Sequence, residues 1–156
     1  MFTHLDENNR GQMVDVSAKG ITKRVAIATG KIHLKKETID AIKQIKTKKG
    51  DVLAIAQVAA IEGAKRTPSI IPMAHPILLT SIHVNFYFEG EYLHCECEVS
   101  CEGKTGVEME ALTACSAGLL TVYDMCKSMD RSMTIEEIYL LKKTGGKSGE
   151  YIRERK

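Results

Sequence analysis

The chain has 156 residues, 44% hydrophobic and 27% charged, with a net charge of +2, which predicts one soluble domain (1–156) large enough to hold its own core. So small a charge argues against nucleic acid or membrane as a default partner, although residues 1–50 hold 11 Lys and Arg against 5 Asp and Glu and form the anion-facing third. There is no charged-then-apolar leader, and no uncharged run reaches the ~20 apolar residues of a membrane span, so a cytoplasmic address is expected.

Residues 1–12 are polar and aperiodic and are expected to be a mobile leader, able to order over a ligand or a partner subunit. The β-branched run 21–34 predicts a first strand, with Thr22, Arg24, Ala26 and Ala28 on one face, so that Arg24 projects from a sheet. Ile39, Ile42 and Ile45 recur at helical spacing within 36–46 and predict a short amphipathic helix. Asp51 is placed to cap a second helix, which ends near Thr67 because Pro68 forbids continuation. Its uncharged stretch from Val52 to Ile61 implies burial on most sides, and Lys48 and Lys49 at its start suit an anion. His75 follows in a proline-bracketed loop.

Residues 78–88 alternate, with Ile82, Val84, Phe86 and Phe88 on one side, and predict a second strand joined by a tight turn to a third at 92–101. In that third strand Cys95, Cys97 and Cys101 share a face with Leu93 and Val99. The pattern reads as small buried thiols, since the spacers of a zinc knuckle are missing, and no metal is assigned. An odd total of five cysteines fits reduced thiols. A long helix is predicted over 106–129, opened by Thr105 and Glu108 as a capping box and uncharged from Ala111 to Tyr123. At its far end Asp124 and Lys127 lie about 60° apart on the helix surface, either as a surface ion pair or as a proton-transfer pair facing one site. Residues 133–143 predict a last strand with imperfect alternation, and 144–156 a flexible, glycine-rich, basic tail.

Strand, helices, strand, strand, helix, strand is the order of an α+β ferredoxin-like sandwich, an antiparallel sheet with helices packed on one face. The uncharged middle of the long helix, with Ala114, Ala117 and Gly118, is apolar around more than the stripe one sheet can cover, which predicts a homo-oligomer.

Two segments, GKT at 103–105 and GGKSG at 145–149, look like phosphate loops but lack the required earlier glycine, since Glu98 and Leu141 stand there. Each still brings backbone N–H groups and a lysine to one point, as a phosphate grip or as a flexible turn. His75 either contacts a ligand or fills a hydrogen-bonded niche, and Glu110 either satisfies the helix dipole or serves a polar heterocycle as a base.

Taken together, MVDVS and TKR near the start, KKGDVLAIAQVAAIEGAKRTPSIIPMAHP, GKTGVEMEALTACSAGLLTVYDMCK and the GGKSG tail closely resemble the cyclic pyranopterin monophosphate synthase (MoaC) family of molybdenum-cofactor biosynthesis, over about residues 13–150. The resemblance implies a lyase converting (8S)-3′,8-cyclo-7,8-dihydroguanosine 5′-triphosphate to cyclic pyranopterin monophosphate and pyrophosphate. It also implies a ferredoxin-like fold and a hexamer built as a trimer of dimers with active sites at the dimer interface. By the same resemblance Asp124 and Lys127 match the catalytic acid/base pair and Lys49 a further active-site lysine. Met73, Ala74, His75, Met109 and Glu110 match substrate-contacting segments. Arg24 and Lys143 match basic residues of the pocket, with Lys147 a neighbouring candidate. The family loop commonly reads PLCHP, whereas here Ala74 replaces the thiol. No cofactor is required on this reading, and magnesium is compatible with the triphosphate. The rival reading is a ferredoxin-like nucleotide- or RNA-binding module, for which Tyr87 and Tyr92 could stack bases, but the aromatic RNP1 string is absent. An inactive assembly subunit would leave the Asp124 and Lys127 pairing unexplained.

Overall fold

The computed structural model describes residues 4–155. Strand β1 (Thr22–His33) leads to helices α1 (Lys36–Lys43), α2 (Val52–Lys65) and the single turn α3 (Thr67–Ile70). The hairpin β2 (Leu79–Glu89) and β3 (Tyr92–Gly103) follows, then α4 (Glu108–Cys126), β4 (Thr134–Thr144) and the short β5 (Tyr151–Ile152). The sheet order is β2-β3-β1-β4-β5 with every neighbouring pair antiparallel, and α2 and α4 pack on one face, which is the ferredoxin-like sandwich.

Period-two alternation sorts the sheet. Ala26, Ala28 and Ile32 of β1 and Leu93, Cys95, Cys97, Val99 and Cys101 of β3 are buried beneath the helices. All five cysteines are free and buried. The helices come close because their contact is built from small residues: a Cβ on Gly63 would lie 2.8 Å from the Ala117 Cβ and 3.2 Å from the Thr113 carbonyl oxygen. A larger residue at Gly63 would force α2 and α4 apart.

Several expectations shift. Helix α1 stops at Lys43 rather than 46, because Ile45 turns left-handed at φ 53°. Asp51 caps α2 as expected, accepting from the Ala54 N–H at 3.0 Å. Asp51→Ala should therefore cost about 1 kcal/mol in chemical denaturation. Pro68 does not end the helical path outright, since it sits in the first turn of α3, where its missing N–H is harmless. In the single chain α2 buries one stripe, including Val52, Ala56 and Ala60, and exposes Ile55 and Val58, so burial on most sides is not met within one copy. The capping box at Thr105 and Glu108 does not form. Val107 occupies the cap without a side-chain bond, Glu108 is the first helical residue, and its carboxylate lies 3.9 Å from Lys143 Nζ. The imperfect alternation of β4 reflects register shifts against β1, with Glu137 at φ 54°.

Both chain ends differ from plain coil. Of the expected leader, residues 1–3 lie outside the described residues, and the rest forms a small loop closed by a bridge between Leu5 and Gly11. The tail supplies β5, which pairs Ile152 with Lys142 and Tyr151 with Lys143.

Candidate active site

At the carboxyl end of α4, Asp124 occupies the last turn and Lys127 the position just past it. The turn between α1 and α2 is closed by Thr47, whose hydroxyl donates to the Gly50 carbonyl at 2.6 Å, and Gly50 takes φ 89°. That turn aims Lys49 at the same point. Lys127 Nζ is 2.6 Å from Asp124 Oδ1 and Lys49 Nζ is 2.7 Å from Oδ2, while Lys49 also donates to the Asp124 carbonyl at 3.0 Å. Each carboxylate oxygen thus holds one lysine. Hydrogen bonds from Lys127 and then Lys49 pull the Asp124 pKa down to about 2, so the carboxylate is ionised and is the fixed negative centre between two proton donors. Helical spacing makes the i, i+3 pair visible in the sequence; Lys49, 75 residues away and expected at the site only by resemblance to the family, meets Asp124 in the fold.

At the opposite end of α4 lies a cavity of about 530 Å³, whose lining includes Val14, Ile71, Met73, Ala74, His75, Met109 and Glu110. The carboxyl group of Glu110 stands in this largely apolar surround with only 2% exposure. Burial raises its pKa to about 7, partly offset by its own backbone N–H, with the nearby negative charge of Glu108 adding a smaller push upward. His75 Nε2 is 2.6 Å from the Val14 carbonyl, and a carbonyl only accepts, so Nε2 carries the proton and Nδ1 is left for other partners. The slot therefore offers apolar walls with a titratable carboxyl and an oriented imidazole, a suitable lining for a polar heterocycle.

A second cavity of about 640 Å³ is lined by Lys19, Thr22, Arg24, Gly146, Lys147 and Ser148 among others. The Arg24 guanidinium is held by the carbonyls of Gly103 at 3.1 Å and Lys104 at 3.2 Å. Lys143 approaches from β4, bonded to the Ser148 hydroxyl and near Glu108. Three cations without a carboxylate in the lining suit a polyanion. Lys19 lines both cavities, so the apolar slot and the cationic pocket adjoin.

The structure thus sorts the expected residues into three groups: Asp124, Lys127 and Lys49; Met73, Ala74, His75, Met109 and Glu110; and Arg24 and Lys147 with Lys143 beside them. The first group does not meet the second within one chain, because Glu110 and Asp124 are about 21 Å apart along the helix axis. Lys19 and the structural use of Val14 escape sequence reasoning. Both sit in an irregular segment without strand or helix periodicity, where the MVDVS string carries family resemblance but no residue role. Among the described residues no group of three or more His, Cys, Asp or Glu is arranged to hold a metal ion, and no helix is long and apolar enough to cross a membrane.

An antiparallel α+β sandwich carrying a carboxylate between two lysines, an apolar slot with a buried carboxyl and a cationic pocket is suited to acid–base chemistry on an anionic substrate. Comparison with known proteins narrows this. The profile of the MoaC family matches residues 13–146. The chain is 54% identical over 155 residues to a Clostridium acetobutylicum protein named cyclic pyranopterin monophosphate synthase, covering 98% of this chain and 96% of that one. It is 56% identical over 156 residues to the Bacillus mycoides protein of that name, covering 97% of each, and 55% identical over 156 residues to that of Brevibacillus brevis, covering 99% of this chain and 98% of the other. The chain belongs to the MoaC family.

Proposed function

We propose that this protein converts (8S)-3′,8-cyclo-7,8-dihydroguanosine 5′-triphosphate to cyclic pyranopterin monophosphate with release of pyrophosphate, a step of molybdenum-cofactor biosynthesis. The observation that carries the chemistry is the meeting of Asp124, Lys127 and Lys49 at one point from two separate elements. Opening and re-closing a nitrogen heterocycle removes and returns protons at several heteroatoms. Lys127 and Lys49 are the donors in this arrangement, and Asp124 fixes their direction. When a lysine leaves to follow a phosphate, Asp124 loses part of what holds its pKa near 2 and becomes a stronger base. Closing the cyclic phosphate breaks the bond to the departing pyrophosphate, which carries away the electron pair, and Arg24, Lys143 and Lys147 stabilise the charge that develops.

The heterocycle occupies the slot of Met73, Ala74, His75, Met109 and Glu110, and the triphosphate runs past Lys19 into the cationic pocket. No electron is transferred overall, so the proposal includes no redox cofactor, and magnesium enters only as a counter-ion of the triphosphate. Because the two ends of α4 are too far apart to serve one reacting bond, the proposed working form is a homo-oligomer, a hexamer built as a trimer of dimers, in which a second copy brings its Asp124 group to the slot. Exposed Ile55 and Val58 of α2 and Leu120 of α4 supply apolar surface for such packing. Incubation with the cyclic dihydroguanosine triphosphate should yield equal amounts of pyrophosphate and a pterin that oxidises to a fluorescent product. Assembled protein that releases neither would refute the assignment.

A further inference from the structure

The carboxyl-terminal tail touches the cationic pocket at one end and the outer face of the sheet at the other. Its loop contains Gly145, Gly146 and Gly149 at φ values of 89°, 79° and 68°. The conformation is needed where it is: a Cβ on Gly146 would run into the Arg24 guanidinium and one on Gly145 into the Lys23 carbonyl. Three left-handed glycines also leave the segment carrying Lys147 and Ser148 with little stiffness of its own. The far leg of the hairpin is only β5, two residues long and paired at two positions, too short to hold itself in place.

What fixes it lies further on. The Arg153 N–H donates to the Leu141 carbonyl at 2.8 Å, and the Arg153 guanidinium stands 4.5 Å over the Tyr139 ring. Arg155 then reaches across to the other half of the sheet, placing Nη2 2.6 Å from Glu96 Oε2 on β3 and Nη1 3.2 Å from the Tyr87 hydroxyl on β2. Both anchors stand on firm backbone. Glu96 is in mid-strand, paired with Thr29 on one side and Asn85 on the other, and the Tyr87 ring stacks on His94 at 4.7 Å with 4° between planes.

We infer that Arg155 is a positioning residue for the reaction: by pinning the tail to Glu96 and Tyr87 it holds β5 against β4 and so fixes Lys147 and Ser148 at the cationic pocket on the far side of the glycine loop. The Arg155 side of the clamp is half exposed, so the pair adds little to global stability. Its effect is instead on how far Lys147 is already in place before an anion arrives. The inference rests on reading that pocket as the polyphosphate site, and the experiment keeps the two apart.

The full chain and its Lys147→Ala, Arg155→Ala and Glu96→Gln variants are compared by calorimetric binding of inorganic tripolyphosphate and by steady-state turnover of the cyclic dihydroguanosine triphosphate. Glu96→Gln removes the charge of the anchor without altering the tail, leaving Arg155 only a neutral amide oxygen to donate to. Arg155→Ala and Glu96→Gln should each weaken tripolyphosphate binding and raise KM by on the order of five- to tenfold, with kcat held within about twofold and the melting temperature nearly unchanged. The exchanged pair Glu96→Arg with Arg155→Glu should recover most of the loss. Lys147→Ala weakening tripolyphosphate binding while both clamp variants bind as the parent does would overturn the clamp alone. Unchanged binding in Lys147→Ala would overturn the polyphosphate pocket and the clamp with it. A fall in kcat at constant KM would also overturn the inference, since misplacement of a phosphate grip acts on binding.

Discussion

Asp124→Asn is expected to lower product formation by on the order of 10³-fold while leaving the fold and the oligomer intact. The amide keeps the shape of the side chain but removes the negative charge that holds Lys127 at 2.6 Å and Lys49 at 2.7 Å. Both lysines would then be free to swing, and the cluster would lose its proton acceptor and its fixed centre together. Because Asp124 is half exposed at the helix end, its loss should hardly alter the melting temperature. Lys127→Ala should fail comparably, and each variant is checked by turnover beside size-exclusion elution. Normal turnover in Asp124→Asn would remove this residue from the mechanism.

Glu110→Gln should separate from the parent in a pH-dependent way. The buried carboxyl keeps its proton up to about pH 7 in the folded chain, whereas an ordinary glutamate releases it near 4.5. The folded state therefore holds more protons than the unfolded state between those values. Stability is complete below about pH 4.5, declines as pH rises to about 7 and is flat above. The gap from 4.5 to about 7 corresponds to a loss on the order of 3 kcal/mol. Glutamine mimics the protonated form, so the variant should match the parent near pH 4 and exceed it by about 2–3 kcal/mol at pH 8 in urea unfolding, while turnover falls. Identical pH profiles would show that the carboxyl titrates normally.

The sheet was readable because its strands are long and alternate: Leu93 to Val99 has one buried side, and Ile82 to Phe88 has one side that is partly buried against the core. The long helix was readable from its uncharged middle. Its start was misread because a capping box is a local rule, and Glu108 is drawn instead toward Lys143, a partner 35 positions away that no local pattern reveals. The tail strand escaped for the same reason. Tyr151 and Ile152 have no strand periodicity, and what places them is Arg155 on Glu96, a contact across 59 positions. At the site, Asp124 and Lys127 could be paired from helical spacing, while Lys49 joined them only through resemblance to the family, and Lys19 through neither.

Helix α4 sets a phase as well as a length. At about 100° and 1.5 Å per residue, one residue inserted between Glu110 and Asp124 would move the acid group little along the axis but turn it by more than a quarter of a circle. Lys49 would then face a different side of the helix, and Asp124 would keep only Lys127, which turns with it, so the cluster would lose one of its two lysines with every residue still present. The small-residue seam with α2 imposes the same condition, since Ala117 fits opposite Gly63 in one rotational setting. Changes in this stretch can therefore be substitutions but not single-residue insertions, and the two ends of the helix have to be altered as one object.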